Sequence, residues 1–119
     1  MDNKKKILYV DDEELNLTLF KITFASEMDV LLAGSPQEAL IKLEENKAAV
    51  EAVISDMHMP EMNGLEFVKK ARGINNDIPY FILSGYSFND EIDKALRGKV
   101  INKFFTKPFE KDEIKRNLF

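Results

Sequence analysis

The sequence predicts an α/β domain, with five parallel strands in one doubly wound sheet and five helices covering its two faces. Three observations predict it. Short apolar runs of four or five residues alternate with longer amphipathic ones along the whole chain. Acidic, hydroxyl and basic residues stand just after these runs. The 119 residues have ordinary globular composition, and a chain of that length can bury roughly two-thirds of its unfolded surface in one core. Strands alternating with helices imply a parallel sheet covered on both sides.

Each element has its own signal. Ile7-Leu8-Tyr9-Val10 reads as the first strand. Residues 13–26 carry two overlapping helical stripes, Leu15/Leu19/Ile22 and Leu17/Phe20/Phe24. Val30-Leu31-Leu32-Ala33 is the second strand. Ser35-Pro36-Gln37-Glu38 opens the second helix: Ser35 as N-cap, Pro36 at the first helical position, Glu38 completing a capping box. Ala39, Leu40 and Leu43 would face the core. Ala52-Val53-Ile54-Ser55 is the third strand, and residues 63–71 form a third helix packed through Leu65 and Val68.

Pro79-Tyr80-Phe81-Ile82-Leu83 is the fourth strand, opened by proline where proline is tolerated. Residues 88–97 form a fourth helix, with Phe88, Ile92 and Leu96 spaced by four and Gly98 as its C-cap. Residues 102–105 are the fifth strand, where alternation puts Phe104 and Phe105 on opposite faces. Residues 110–118 form a last helix through Ile114 and Leu118. Right-handed crossovers leave few topologies, and the flavodoxin-like order 2-1-3-4-5 is the natural one. No repeat or linker interrupts the chain, so one domain over residues 1–119 is expected.

Composition excludes several functions. A net charge of −4 lacks the basic footprint of a nucleic-acid binder. With no cysteine, disulfides and thiolate chemistry are out. No apolar run approaches the ~20 residues of a membrane span. The start, Met1-Asp2-Asn3-Lys4-Lys5-Lys6, has no apolar stretch of a signal peptide, so a cytoplasmic protein is expected.

In a sheet of this order the site lies beyond the carboxyl ends of the strands, near the switch in strand order. Asp11, Asp12, Glu13 and Glu14 follow the first strand, Asp56 the third, Ser84 and Gly85 the fourth, and Lys107 the fifth. Each has a bland reading alone. Asp11 and Asp12 suit a helix start, Asp56 a loop, and Lys107 a surface turn. Their joint placement favours a shared pocket. Clustered carboxylates stay ionised only beside a cation, and oxygen ligands of this kind suit Mg2+. Such a metal, Lys107 and Ser84 together would receive a phosphoryl group.

With those residues placed, the sequence resembles the receiver domain of two-component response regulators, from Ile7 to about Leu118. The motifs are Val10-Asp11-Asp12-Glu13, then Ser55-Asp56-Met57-His58-Met59-Pro60-Glu61-Met62-Asn63-Gly64, then Leu83-Ser84-Gly85, then Lys107-Pro108-Phe109. The resemblance implies that Asp56 is the phosphoacceptor, attacking a phosphohistidine on a histidine kinase or phosphotransfer protein. It implies Mg2+ ligation by Asp12, Asp56 and the backbone carbonyl of His58, with Asp11 acting through a metal-bound water. Ser84 takes the switching hydroxyl position, Lys107 pairs with phosphoryl oxygens, and Phe104 is the switch aromatic. Met57, Gly85 and Tyr86 neighbour the phosphoryl group. Such a domain assists its own phosphorylation and dephosphorylation without turning over an external substrate. It changes the face made by the fourth helix, fifth strand and fifth helix.

Some positions depart from the family pattern. Phe104 replaces a frequent tyrosine, so its switch must work by packing alone. Arg97-Gly98-Lys99-Val100-Ile101 differs from a frequent Gly-Ala-x-Asp stretch, which leaves the partner open. His58, the only histidine, reads as a solvent-facing ring, or with Tyr86 as a screen against attacking water. No output domain follows within this chain, and both a stand-alone regulator and a fragment fit. A haloacid dehalogenase-type phosphatase would need Asp-x-Asp after the first strand, where Asp11-Asp12-Glu13 stands. A flavodoxin would need a Ser/Thr-rich phosphate loop there, and four acidic residues repel phosphate. A receiver-like interaction module that works without phosphorylation remains the alternative.

Overall fold

The computed structural model describes residues 4–85 and 89–118. Its elements run β1 (Lys5–Val10), α1 (Glu14–Phe24), β2 (Met28–Ala33), α2 (Pro36–Glu45), β3 (Val50–Asp56), α3 (Gly64–Ile74), β4 (Tyr80–Ser84), α4 (Asp90–Arg97), β5 (Lys103–Thr106) and α5 (Lys111–Leu118). The five strands form one parallel sheet in the order β2-β1-β3-β4-β5, as expected. Asp56 and Ser84 are the last residues of β3 and β4, not the first residues beyond them. No helix among the described residues is long and apolar enough to cross a membrane. Phe88, placed on the fourth helix by its spacing, lies outside the described residues, as does Tyr86.

Strand alternation splits the interior into two cores. Leu8, Val10, Val53 and Ile82 pack beneath Leu43 of α2, Val68 of α3 and Ile92 of α4. Ile7, Tyr9, Ile54 and Phe105 pack on the other side with Phe20 of α1 and Ile114 of α5. Phe104 is half-buried against the first core, so the two phenylalanines do face opposite ways.

α1 resolves its two stripes in opposite senses. Phe20 and Phe24 are fully buried and Leu17 packs against them. Leu15, Leu19 and Ile22 are 78%, 53% and 72% exposed. A helix laid on a sheet can turn only one stripe inward, and the aromatic stripe removes more apolar area from water.

The helix ends differ from expectation at α2, while Gly98 caps α4 as expected. Ser35 accepts the Glu38 N–H at 3.1 Å, as a cap should. The Glu38 carboxylate, however, accepts from Gly34 N–H at 2.7 Å and not from Ser35, so the box closes one residue early. Gly98 is the C-cap of α4 with φ −80°, and the left-handed conformation falls on Lys99 at φ 59°. The full capping box belongs to α3, where Asn63 and Glu66 each accept the other's N–H.

Candidate functional site

Parallel register sets the site. Val10 pairs with Ser55, so Asp11 and Asp56 leave neighbouring strands side by side. Asp56 pairs with Leu83, and Ser84 with Thr106, which brings Lys107 to the same edge. The Lys107 N–H donates to the Ser84 carbonyl at 2.8 Å, and the Lys107-Pro108 peptide is cis.

Asp11 is fully buried and takes three donors. Its Oδ2 accepts from the Tyr9 hydroxyl at 2.8 Å and from Lys107 Nζ at 3.0 Å. Its Oδ1 accepts from Glu13 N–H at 3.0 Å. Asp56 is 6% exposed, and its Oδ1 accepts from Met57 N–H at 2.9 Å with Lys107 Nζ at 3.3 Å. Lys107 therefore bridges the two buried carboxylates. Asp12 is exposed, yet one oxygen from each of Asp11, Asp12 and Asp56 lies within 4.8 Å of the others. Two buried carboxylates and one open to solvent, all oxygen donors, fit a hard divalent cation entering from the solvent side.

The electrostatics follow from burial. Desolvation, then the charge of Asp11, pushes the Asp56 carboxyl above its ordinary value, against the pull of Lys107 and the Met57 N–H. Burial lowers the Lys107 ammonium, but hydrogen bonds and attraction from Asp11 and Asp56 outweigh it and the net shift is upward. Burial, then Asp11, pushes the Tyr9 phenol far up, so it stays a donor.

The loop beyond Asp56 is fixed by close contact. A Cβ on Gly64 would stand 2.3 Å from the Asp56 carbonyl oxygen and 3.1 Å from the Met57 Cα. Its N–H donates to the Met57 carbonyl at 2.7 Å. Only glycine lets α3 begin this close to the Asp56 backbone. Glu61, in the intervening loop, holds φ 71°.

The structure thus brings together Asp11, Asp12, Asp56 and Lys107. Ser84 is buried beside them at the end of β4. Met57 is buried, and Gly85 is exposed with open space where a side chain would be. His58 is exposed. The pairing of His58 with Tyr86 falls outside the described residues. Two contributors went unassigned in the sequence. Gly64 was visible only as the end of a motif. Tyr9 looked like plain strand, although residues two apart on a strand share a face, which puts it beneath Asp11. Beside the carboxylates, a groove of about 540 Å³ opens between α1 and the β5–α5 connection, with Tyr9, Leu19, Leu83, Lys107 and Phe109 among its walls.

Known proteins share this fold. The model of the response regulator receiver domain matches residues 7–119. The chain is 37% identical over 117 residues to chemotaxis protein CheY1 of Helicobacter pylori, covering 95% of this chain and 93% of that one. It is 32% identical over 108 residues to the hydrogenase transcriptional regulatory protein HoxA of Bradyrhizobium diazoefficiens, covering 91% of this chain but 22% of the longer protein. Among solved structures, chemotaxis protein CheY4 of Vibrio cholerae superposes with TM-score 0.84 at 28% identity, covering 97% of this chain and 96% of that one. A receiver domain protein from Clostridium thermocellum superposes with TM-score 0.85 at 26% identity, covering 96% and 90%. On this fold, with these residues at its strand ends, the chain belongs to the response regulator receiver domain family.

Proposed function

We propose that this chain is a phospho-accepting switch, taking a phosphoryl group from a phosphohistidine onto Asp56. The observation that carries the reading is Lys107 Nζ, 3.0 Å from Asp11 and 3.3 Å from Asp56, in a pocket where Asp12 completes a set of three carboxylates.

The chemistry asks little of the protein beyond placement. A carboxylate oxygen of Asp56 attacks phosphorus, the phosphorus–nitrogen bond of the donor breaks, and its electron pair returns to the imidazole. No proton leaves the nucleophile, so no general base is needed. Mg2+, held by Asp12, Asp56 and the His58 backbone carbonyl with Asp11 behind a water, would supply neutralisation of phosphoryl charge. Lys107 turns from the carboxylates to the new phosphoryl oxygens. The Ser84 hydroxyl donates to them from the end of β4. Half-buried Phe104 then has room to turn inward, which reshapes the face made by α4, β5 and α5. The domain assists its own phosphorylation and hydrolysis and turns over no other substrate.

A histidine kinase or phosphotransfer protein is the donor in this reading. It must approach Asp56 past α1, where Leu15, Leu19 and Ile22 offer exposed apolar surface. The acidic balance supports a protein partner over a nucleic acid.

Incubation with Mg2+ and acetyl phosphate, followed by intact-mass measurement, tests the reading. A phosphoryl adduct is expected, absent in Asp56→Asn. No adduct on the unmodified protein would overturn the proposal and favour a phosphorylation-independent interaction module. The same variant gives a second readout. Because the folded state raises the Asp56 pKa, its charge costs stability increasingly as pH rises through that raised value. Asp56→Asn should therefore melt higher at neutral pH, with the gain fading as pH falls through the raised value and gone below the ordinary aspartate value of about 3.9.

A further inference from the structure

We infer that Tyr9 is a positioning residue for the acidic pocket: its hydroxyl locks Asp11 in place and so sets the affinity for the divalent cation. The inference rests on the receiver reading and adds to it a residue outside the motifs that define the family resemblance.

The geometry is specific. Tyr9 is 1% exposed and projects from β1 on the same face as Asp11. Its hydroxyl donates to Asp11 Oδ2 at 2.8 Å, the same oxygen that Lys107 Nζ meets at 3.0 Å. Asp11 is fully buried, so bulk water supplies no substitute donor on Oδ2. The phenol is itself held by packing. Its ring stacks on Phe20 at 4.1 Å with planes 8° apart. Phe20 contacts Phe109 at 5.5 Å, two residues beyond Lys107. One aromatic cluster thus seats both donors to Asp11 Oδ2.

The consequence concerns sharing. Lys107 serves Asp11 and Asp56 together. When phosphorylation draws Lys107 toward Asp56, a buried Asp11 served by Lys107 alone would lose the partner of Oδ2. A buried acceptor without a donor is costly, more so when charged. The Tyr9 hydroxyl stays on Oδ2 whichever way Lys107 turns. It donates without carrying a countercharge, so it orients the carboxylate while leaving its charge for the cation.

Calorimetric titration with Mg2+ of the unmodified protein, Tyr9→Phe, Asp11→Asn and the double variant tests this. Tyr9→Phe keeps the ring and its stack, so it should fold. Its Mg2+ affinity should fall about tenfold, as expected for loss of one hydrogen bond to a charged group. In the Asp11→Asn background, Tyr9→Phe should change nothing further. Unchanged affinity in Tyr9→Phe, or an equal fall in both backgrounds, would overturn the role of Tyr9 while leaving the receiver reading intact. Absence of Mg2+ binding by the unmodified protein would instead sink that reading, and this inference with it. Should Tyr9→Phe fail to fold, fluorine-labelled tyrosine in the unmodified sequence decides. The Tyr9 signal, assigned as the one retained in both Tyr80→Phe and Tyr86→Phe, must shift on adding Mg2+; a static signal counts against the proposal.

Discussion

The two faces of the sheet are built from different materials. Beneath α1 and α5 the core is aromatic: Tyr9, Phe20, Phe24, Phe81 and Phe105, with Phe109 packed at its margin. Tyr9–Phe20 and Phe81–Phe105 put ring centroids 4.1 and 5.5 Å apart. Beneath α2, α3 and α4 the core is mostly aliphatic, with Ala39 and Ala71 fully buried and Gly64 in close backbone contact. The difference matches what each face does for the site. Large flat rings with few rotamers fix the Tyr9 hydroxyl that meets Asp11, and they seat the segment carrying Lys107. The small residues let α3 approach the backbone at Asp56, and this side also carries the half-buried Phe104. One face holds the charges; the other admits a close backbone approach at Asp56.

The largest effect should come from breaking the aromatic face. Phe20→Ala removes a fully buried ring, at a cost of about 3–5 kcal/mol, read by urea denaturation. It should also weaken Mg2+ binding, because Tyr9 loses its stack. Leu43→Ala in the aliphatic core, costing about 2–5 kcal/mol, should leave Mg2+ affinity at the unmodified value. Equal losses of Mg2+ affinity in the two variants would erase the contrast between the faces.

Gly64→Ala probes the other face at its tightest point. The added methyl meets the Asp56 carbonyl, the Ile82 side chain and the Met57 Cα. Backbone cannot step aside as a side-chain tip can, so about 1–3 kcal/mol of overpacking is expected. The strain falls on the Asp56 peptide, so under the proposed function labelling by acetyl phosphate should slow as well. A variant that melts lower but labels at the normal rate would show that α3 supports the fold without tuning Asp56.

These contrasts also explain what could be read from the residues alone. Strand order, helix count and the gathering of Asp11, Asp12, Asp56 and Lys107 were legible, because periodicity and chain order dictate them. The fate of the two α1 stripes was not, since Leu15/Leu19/Ile22 and Leu17/Phe20/Phe24 are both apolar at helical spacing, and only the sheet's position chooses between them. The Glu38 carboxylate could reach either of two adjacent N–H groups, and local backbone geometry selected Gly34. Gly98 was legible as the C-cap of α4, but the positive φ that follows it on Lys99 has no signal in the residue type. Tyr9 escaped because a strand tyrosine reads as core until the partner of its hydroxyl is known.

The smallest expected effect on stability tests the most exposed surface. Leu15, Leu19 and Ile22 lie mostly in solvent, so folding gains little from them. Replacing all three with glutamine, a good helix former, should move stability by no more than about 0.5 kcal/mol per site. Labelling by acetyl phosphate should be unaffected, since a small donor needs no docking surface. Transfer from a phosphohistidine protein should fall sharply, because such a donor must cover α1 to bring its imidazole to Asp56. Unchanged transfer from the protein donor would show that the stripe serves another partner. A loss of several kcal/mol would mean that it belongs to the core after all. Either result would redraw α1, whose inward stripe holds Tyr9 in place and whose outward stripe, in this reading, meets the phosphoryl donor.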